Sequence, residues 1–422
     1  MVAIGACIGS GIFVTPAQSI QALPHQGLVL LTWLVGGVVS CLGALSFSEL
    51  GARFPKAGGV YVYLREAFGD LAGFLYGWII LLIVNTGALA ALSITLADYT
   101  LPLLGIRNEY NPVFAIAIIW VLTIVNLFGV NISEVFSKIF TGLKLLAIGC
   151  IILTGLMYAH YTNPDHEWLL TAAPPPDPLK GIFLTFVGVF WSMGGWHHAT
   201  YLAGETIHPQ KNVPKAMIIG TAVVTIVYVL TIFSYMCVLD IGSMQGSNRI
   251  ASDMLANVWS YGGIFVSVAI IISITGTIGI YTMTAPRIYF AMAEDKIFFK
   301  FLSITNRTTG TPVNAMLFQS AWATLLILAW GSFIKVITFV TFMDIVFMAL
   351  ACSTIFYFRM KHADKSPFHV PFYPVIPALY LLVTIGFVLY TGWQLESESV
   401  SGILILVAGI PAYYWFKVKN KK

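Results

Sequence analysis

Gly9-Ser10-Gly11-Ile12-Phe13 decides the fold of this chain, because it places two glycines inside the apolar run Val2–Leu23. Glycine is the poorest helix former after proline, and a continuous membrane helix has no need for this cluster. The pattern predicts an unwound turn, whose freed backbone groups are tolerated at membrane depth only where they line a cavity or bind something. The N–H groups of Ser10, Gly11 and Ile12 would then open a second half-helix, suited to an anion such as a carboxylate. The alternative is a glycine notch that packs against a neighbouring helix.

The composition is typical of a polytopic α-helical membrane protein. The 422 residues are 58% hydrophobic and 9% charged, with a mean hydropathy of +0.85, and no polar stretch is long enough for a separate soluble domain. The five cysteines all fall in apolar segments and suggest neither a disulfide framework nor a metal site. We predict one transmembrane domain over residues 1–422, with twelve spans at roughly 1–23, 27–53, 70–100, 112–130, 132–158, 180–205, 213–240, 257–292, 312–331, 333–360, 375–395 and 398–417.

Lysine and arginine are distributed unequally between the two sides of these spans. With the N-terminus inside, 17 of the 22 fall in inner loops or at inner ends, 4 fall outside, and Lys144 lies within the fifth span. This excess follows the positive-inside rule and predicts a multi-pass protein of the cell membrane with both termini in the cytoplasm. The net charge of +4 therefore reflects loop topology and gives no indication of nucleic-acid binding. The polar segment Phe54–Gly69 predicts a short surface or re-entrant helix.

A second glycine-rich interruption lies in the sixth span, at Phe190-Trp191-Ser192-Met193-Gly194-Gly195-Trp196. Interrupted helices at corresponding positions of two repeats are a recognised indication of a transporter's substrate site. We therefore predict two five-helix repeats of opposite topology, 1–158 and 180–360, followed by two helices in 375–417. The substrate would bind between the two interruptions, near the middle of the membrane.

Several motifs stand in the order and spacing of one known family. The chain resembles a prokaryotic-type member of the L-type amino acid transporters, within the amino acid–polyamine–organocation superfamily. The motifs that carry the resemblance are GSGIF at Gly9–Phe13, WSMGGW at Trp191–Trp196, ELG and FPKAGGVY within Glu49–Tyr61, FTGLKL at Phe140–Leu145, PR and AMA within Pro286–Ala293, and VPFYP at Val370–Pro374. The resemblance implies an all-α membrane transporter of the LeuT fold, with no cofactor and no enzymatic activity.

The resemblance also implies which backbone groups bind the substrate. Backbone N–H groups at Ser10, Gly11 and Ile12 would hold the α-carboxylate of an amino acid, and the Ser10 hydroxyl would help. The α-ammonium group would be held by freed carbonyls, those of Cys7, Trp191 and Gly194. A zwitterion placed between N–H groups and carbonyls needs no charged side chain.

Side chains near the second break would shape the pocket. Trp191 would stand over the substrate as a gate, although ordinary aromatic packing is the alternative. Ser192 and Met193 would line the space for the substrate's side chain. This chain departs from the family pattern at these positions and at His197, Gly279 and Asp344, so the identity of the substrate stays open.

Lys144 is a charged residue about two turns inside the fifth span, where burial of a lysine costs free energy and is usually functional. In sodium-coupled relatives a sodium ion bridges helices 1 and 8 at the corresponding place, and the resemblance implies that this ammonium replaces it. We expect Lys144 to bond freed carbonyls around Ala6 and Cys7, and hydroxyls of helix 8 such as Ser273 or Thr277. The alternative is that Lys144 only extends toward the inner surface.

Asp344 is a second ionisable residue at membrane depth, in the tenth span. A lone acid there is either protonated, paired, or a proton site that couples transport. A pore-facing position without coupling is a further alternative. The adjacent His197 and His198 point to different helix faces, and without more ligands they do not predict a metal site.

These observations predict a secondary-active transporter that exchanges neutral L-amino acids without sodium by alternating access. Small substrates such as alanine, serine or threonine are favoured, because Trp191 and Met193 add bulk to the pocket. The alternatives are a proton-coupled permease or an amine/polyamine antiporter of the same fold, and, from another class, a membrane amino acid sensor. The loop Leu101–Pro112 contains no cysteine, so we expect no disulfide-linked accessory subunit. The expected partners are amino acid substrates and the lipid bilayer.

Overall fold

The computed structural model describes residues 1–161, 175–247, 249–329, 333–361, 366–394 and 396–419, and within these ranges the secondary structure is entirely helical. The α-helices are α1 (Val2–Cys7), α2 (Gly11–Ala22), α3 (Gln26–Arg53), α4 (Val60–Phe68), α5 (Asp70–Ile79), α6 (Asn85–Leu103), α7 (Asn111–Leu127), α8 (Val130–Tyr161), α9 (Pro178–Met193), α10 (His198–Tyr201), α11 (Pro209–Val238), α12 (Ile241–Gly246), α13 (Ile250–Val258), α14 (Gly262–Thr284), α15 (Pro286–Glu294), α16 (Val313–Ala329), α17 (Phe333–Lys361), α18 (Val375–Gln394) and α19 (Glu396–Lys419). A π-helical turn, Ile80–Val84, joins α5 to α6.

The helices match the twelve predicted spans, and the all-α polytopic prediction is confirmed. Ten helical stretches among the described residues are long and apolar enough to cross a membrane. The first span is excluded from that set by its break, and α16 by its length of 17 residues. The eighth span begins at Gly262 instead of residue 257, because a separate helix, α13, occupies Ile250–Val258. The predicted short helix in Phe54–Gly69 is present as α4.

Two glycines of α3 allow this helix to approach α9 and α11 closely. α3 packs along both α9 and α11, and α2 packs along α9. A Cβ atom at Gly36 would overlap the side chain of Val189 on α9, and one at Gly37 would overlap Thr225 on α11. Small residues at such interfaces increase van der Waals contact, which drives helix association where lipid removes the hydrophobic advantage of burial. The division into two repeats, 1–158 and 180–360, stays a prediction.

A buried ion pair joins the end of α3 to the end of α17. The carboxylate of Glu49, which is fully buried, accepts hydrogen bonds from Arg359 Nε at 2.9 Å and from Arg359 Nη2 at 2.5 Å. Its Oε2 atom also accepts from the backbone N–H of Val370 at 2.8 Å, and the Arg53 guanidinium lies 3.9 Å away. The Arg359 guanidinium stacks 4.0 Å from the ring centroid of Tyr373. One carboxylate therefore ties together three separate parts of the chain.

Replacing Glu49 by glutamine should destabilise the protein, because the partly buried Arg359 loses its fully buried counter-charge. Breaking a buried, hydrogen-bonded pair costs about 3–5 kcal/mol. The measurement is the midpoint of thermal unfolding in detergent, followed by size-exclusion chromatography. Glu134→Gln is the matched control, because Glu134 pairs with Lys138 on the exposed face of α8 and the change should leave the midpoint in place. Equal midpoints for the two variants would contradict a stabilising role for the pair.

Candidate substrate site at two helix breaks

The first predicted break is present between α1 and α2. Helix α1 ends at Cys7, Ile8 leaves the helical region with φ −79° and ψ 86°, and α2 begins at Gly11. No described residue accepts a hydrogen bond from the backbone N–H groups of Ser10, Gly11 or Ile12. The Ser10 hydroxyl is also buried without a partner in the described structure. Four donors thus converge at the start of a helix, where the helix dipole favours negative charge.

The second predicted break is present between α9 and α10. Helix α9 ends at Met193, Gly194 is extended with ψ 165°, and Gly195 has φ +103°. Glycine adopts this positive φ without the steric strain that a Cβ atom would cause. A Cβ atom at Gly195 would lie 2.8 Å from the carbonyl carbon of Ala6, so the second break lies directly on the end of α1. The carbonyl of Gly194 accepts no hydrogen bond from a described residue.

The two breaks contact each other through Gly11 and Ser192. A Cβ atom at position 11 would lie 2.8 Å from the Cα of Ser192. The Ser192 hydroxyl donates to the Gly188 carbonyl at 2.7 Å and lies 2.8 Å from the Thr15 hydroxyl. The Cys7 thiol donates to the Met193 carbonyl across 3.7 Å. The notch interpretation and the break interpretation are therefore both correct for Gly11, since the turn unwinds and also packs.

Two tyrosines of α11 were missed by the sequence reasoning. The Tyr228 hydroxyl donates to the Cys7 carbonyl at 2.9 Å, and the Tyr235 hydroxyl donates to the Ile12 carbonyl at 3.3 Å. Both side chains are fully buried. Their spacing of seven residues, which places them on one face of a helix, was the available signal. The Tyr228 hydroxyl adds a second donor to the Cys7 carbonyl, which also accepts from the Gly9 N–H at 2.9 Å. The Tyr235 hydroxyl supplies a donor to the Ile12 carbonyl, because Pro16, four residues later in α2, has no N–H.

Lys144 lies where the sequence predicts, in contact with α1 and α14. Its ammonium group donates to the Ile8 carbonyl at 2.6 Å, to the Gly5 carbonyl at 3.0 Å and to the Thr277 hydroxyl at 2.9 Å. All three donors are used, and the side chain is fully buried, so extension to the inner surface is wrong for this conformation. The Ser273 hydroxyl donates to the same Ile8 carbonyl at 3.2 Å.

One detail of the Lys144 prediction is wrong. The acceptors are the carbonyls of Gly5 and Ile8, and not those of Ala6 and Cys7. The physical reason is helical geometry, because groups three residues apart share a face of a helix. The Cys7 carbonyl faces the other way, toward Tyr228 on α11.

Two small cavities lie beside the second break. The α6-side cavity has a volume of about 30 Å³ for water-sized spheres, and the α3-side cavity about 20 Å³. Trp191 lines the α6-side cavity, as do Asn85, Tyr281 and Thr341. Asp344, Gly194, Phe190 and His197 line both cavities. Trp191 and Gly194 thus border open space, whereas Ser192 and Met193 are buried against α2 and stay predictions as pocket residues.

A pair of interrupted helices, with donors on one and a carbonyl on the other that have no partner among the described residues, is the arrangement typical of the substrate sites of helical membrane carriers. A family model described as amino acid permease matches residues 1–412, and the chain belongs to that family. Over 425 residues it is 30% identical to the serine/threonine exchanger SteT of Bacillus subtilis (strain 168), covering 99% of this chain and 95% of that protein.

Two mammalian relatives are of similar identity. The large neutral amino acids transporter small subunit 2 of Rattus norvegicus is 29% identical over 425 residues, which are 97% of this chain and 78% of that protein. The cystine/glutamate transporter of Homo sapiens is 29% identical over 425 residues, which are 99% of this chain and 84% of that protein. The predicted membership of the L-type transporters and their superfamily fold is confirmed. The protein is an amino acid transporter and not an enzyme.

Replacing Lys144 by methionine should loosen α1, because the Gly5 and Ile8 carbonyls lose their charged donor. A bond to a charged group contributes about 1.5 kcal/mol or more, which is about tenfold in an opening equilibrium. The measurement is the rate at which a small membrane-permeant maleimide labels the buried Cys7, with the other four cysteines replaced by alanine. Labelling should accelerate about tenfold.

The control for this experiment is Lys138→Met, since Lys138 lies on the same helix with its side chain 57% exposed. It should label at the parent rate. Equal rates for both variants would mean that Lys144 does not hold α1 in place.

Proposed function

We propose that this transporter exchanges small neutral L-amino acids across the cell membrane without sodium. The observation that carries the proposal is the group of four donors at Ser10, Gly11 and Ile12 that have no partner among the described residues. Each unsatisfied group at membrane depth costs several kcal/mol, so a ligand that accepts all of them is strongly favoured. An α-carboxylate has two oxygens and several lone pairs, which suits this arrangement.

The α-ammonium group of the substrate would lie at the other break. The free carbonyl of Gly194 supports this placement, together with the carbonyl of Trp191. The Cys7 carbonyl already accepts from the Tyr228 hydroxyl and from the Gly9 N–H, each at 2.9 Å, so it would bind the ammonium group only in exchange for one of these donors. Trp191, at the edge of the α6-side cavity, would close over the bound amino acid as a gate.

Small substrates are supported by the size of the space, and neutral ones by two of the relatives. The cavity volume of about 30 Å³ beside Trp191 leaves room for a few heavy atoms at most. SteT is described as a serine/threonine exchanger and the rat relative as a transporter of large neutral amino acids, so neutral α-amino acids are the shared class. Exchange is the mode that the name of SteT gives.

Independence from sodium is supported by Lys144. The ammonium group bonds the end of α1 and the Thr277 hydroxyl of α14, where a coupling cation would otherwise join these two helices. A charge that belongs to the protein requires no ion gradient. We also propose that both termini lie in the cytoplasm, and that no accessory subunit is linked through the loop after α6, because residues 101–112 include no cysteine.

The proposal is tested by exchange in proteoliposomes preloaded with one amino acid at a time, in sodium-free buffer. Labelled serine or threonine should enter vesicles that contain alanine, serine or threonine, and should not enter empty vesicles at the same rate. Exchange that requires sodium would contradict the role given to Lys144. Absence of uptake for every neutral amino acid would refute the substrate class.

Replacing Gly11 by alanine should abolish binding of the amino acid. The new Cβ would lie 2.8 Å from the Cα of Ser192 and would push the two breaks apart. The measurement is ligand-induced thermal stabilisation by the best exchange substrate, which reports binding alone. The control is Gly142→Ala on α8, where no atom lies within 4 Å of the new Cβ. Normal stabilisation of the Gly11→Ala protein by the substrate would contradict the proposed carboxylate site.

A further inference from the structure

Asp344 carries an oxygen that the described part of the chain leaves without a partner. Its Oδ1 atom is buried and accepts no hydrogen bond, and the ion pairs found among the described residues do not include Asp344. The Thr341 hydroxyl, one turn earlier on α17, is likewise buried without a partner. Two orphaned polar atoms on one helix face need water or a proton, since unsatisfied buried groups are rare.

Space for water exists on both sides of Asp344. The α6-side cavity and the α3-side cavity, about 30 and 20 Å³, each exceed the roughly 10–15 Å³ that one water requires. Both cavities are lined by Asp344 and by Gly194 of the second break. The carboxyl group is therefore placed between two hydratable spaces, at the segment that must move during transport.

The groups that face Asp344 carry no fixed positive charge. Four buried tyrosines from four helices lie close enough to interact with its charge: Tyr76, Tyr201, Tyr281 and Tyr380. The hydroxyls of Tyr76 and Tyr201 lie 2.6 Å apart and can pass or share a hydrogen bond. The other ionisable side chains beside Asp344 at the second break are His197 and His198, and His198 Nδ1 lies 2.6 Å from the Thr284 hydroxyl.

We propose that Asp344 binds and releases one proton in each cycle of net uptake, so that a proton gradient drives entry of the amino acid. The carboxylate takes a proton from a hydronium ion in one cavity and returns it to water in the other, with no change of oxidation state. Protonation removes an uncompensated charge from membrane depth, where charge is costly. Protonation thereby favours the conformation in which no water contacts the Asp344 carboxyl group. The inference rests on the proposed amino acid transport, and it goes beyond exchange because it lets the empty carrier return.

The test compares empty and preloaded proteoliposomes under an inward proton gradient, with the membrane potential held at zero. The wild type should take up amino acid into empty vesicles, and a protonophore should stop this uptake. In Asp344→Asn, net uptake should fall to the protein-free background, while exchange into preloaded vesicles loses its dependence on pH. Asp344→Glu should restore proton-driven uptake, because it restores a titratable carboxyl.

Three controls separate Asp344 from other titratable groups. Asp98→Asn changes an acid at the outer end of α6 that is bonded to Asn111 Nδ2 at 2.5 Å, and it should retain proton-driven uptake. In His197→Gln and His198→Gln, which change the lining of the α6-side cavity, the ratio of proton-driven uptake to exchange should stay at the wild-type value. Proton-driven uptake that survives in Asp344→Asn, or that disappears in a histidine variant while exchange remains, overturns the proposal.

Infrared difference spectra of the purified protein give a readout that does not depend on transport. As the pH is lowered, the wild-type spectrum should gain one protonated-carboxyl C=O component that remains when the spectrum of Asp344→Asn is subtracted from it, since the other acids contribute equally to both. Wild-type exchange without proton-driven net uptake overturns the inference and leaves the proposed function intact. Absence of all exchange refutes the proposed function, and the carboxyl band then decides whether the proton site stands.

Discussion

The backbone groups freed by the break in the first membrane helix set the constraint on which the rest of this structure depends. A bare carbonyl or N–H at that depth costs several kcal/mol, so each must be given a partner. The Ile8 carbonyl receives Lys144, Ser273 and Thr277, and the Cys7 carbonyl receives Tyr228. Helices α8, α11 and α14 therefore surround the break because each supplies donors to it.

The donors on the other side of the same break are treated differently. The N–H groups of Ser10, Gly11 and Ile12 have no acceptor among the described residues, although three neighbouring helices satisfy the carbonyls. The protein thus satisfies the carbonyls of the interrupted turn with its own side chains, and we propose that the substrate accepts from the N–H groups. The contact between Gly11 and Ser192 holds this half against the second break, and the Thr15–Ser192 hydroxyl pair locks α2 to α9.

Sequence alone was sufficient for the features that depend on residue type at fixed spacing. Glycine clusters predicted both breaks, hydrophobic length predicted the spans, and an isolated lysine at membrane depth predicted its own need for acceptors. Features that depend on the meeting of distant segments were not accessible in this way. The pairing of Glu49 with Arg359 and the reach of Tyr228 to Cys7 depend on helix rotation, which no local pattern records. The incorrect prediction of Ala6 and Cys7 as partners of Lys144, which bonds Gly5 and Ile8, has the same cause.

The position of the ammonium group on a different helix from its acceptors has an electrical consequence. Lys144 belongs to α8, whereas the carbonyls that it bonds belong to α1. In a motion that carried α1 away from α8, neutral peptide groups would move and the charge would stay on α8. The membrane potential acts only on displaced charge, with about 2.3 kcal/mol for one elementary charge carried through 100 mV. Opening of α1 is therefore a nearly voltage-insensitive step, in contrast to a carrier in which a bound metal cation must leave by the same route.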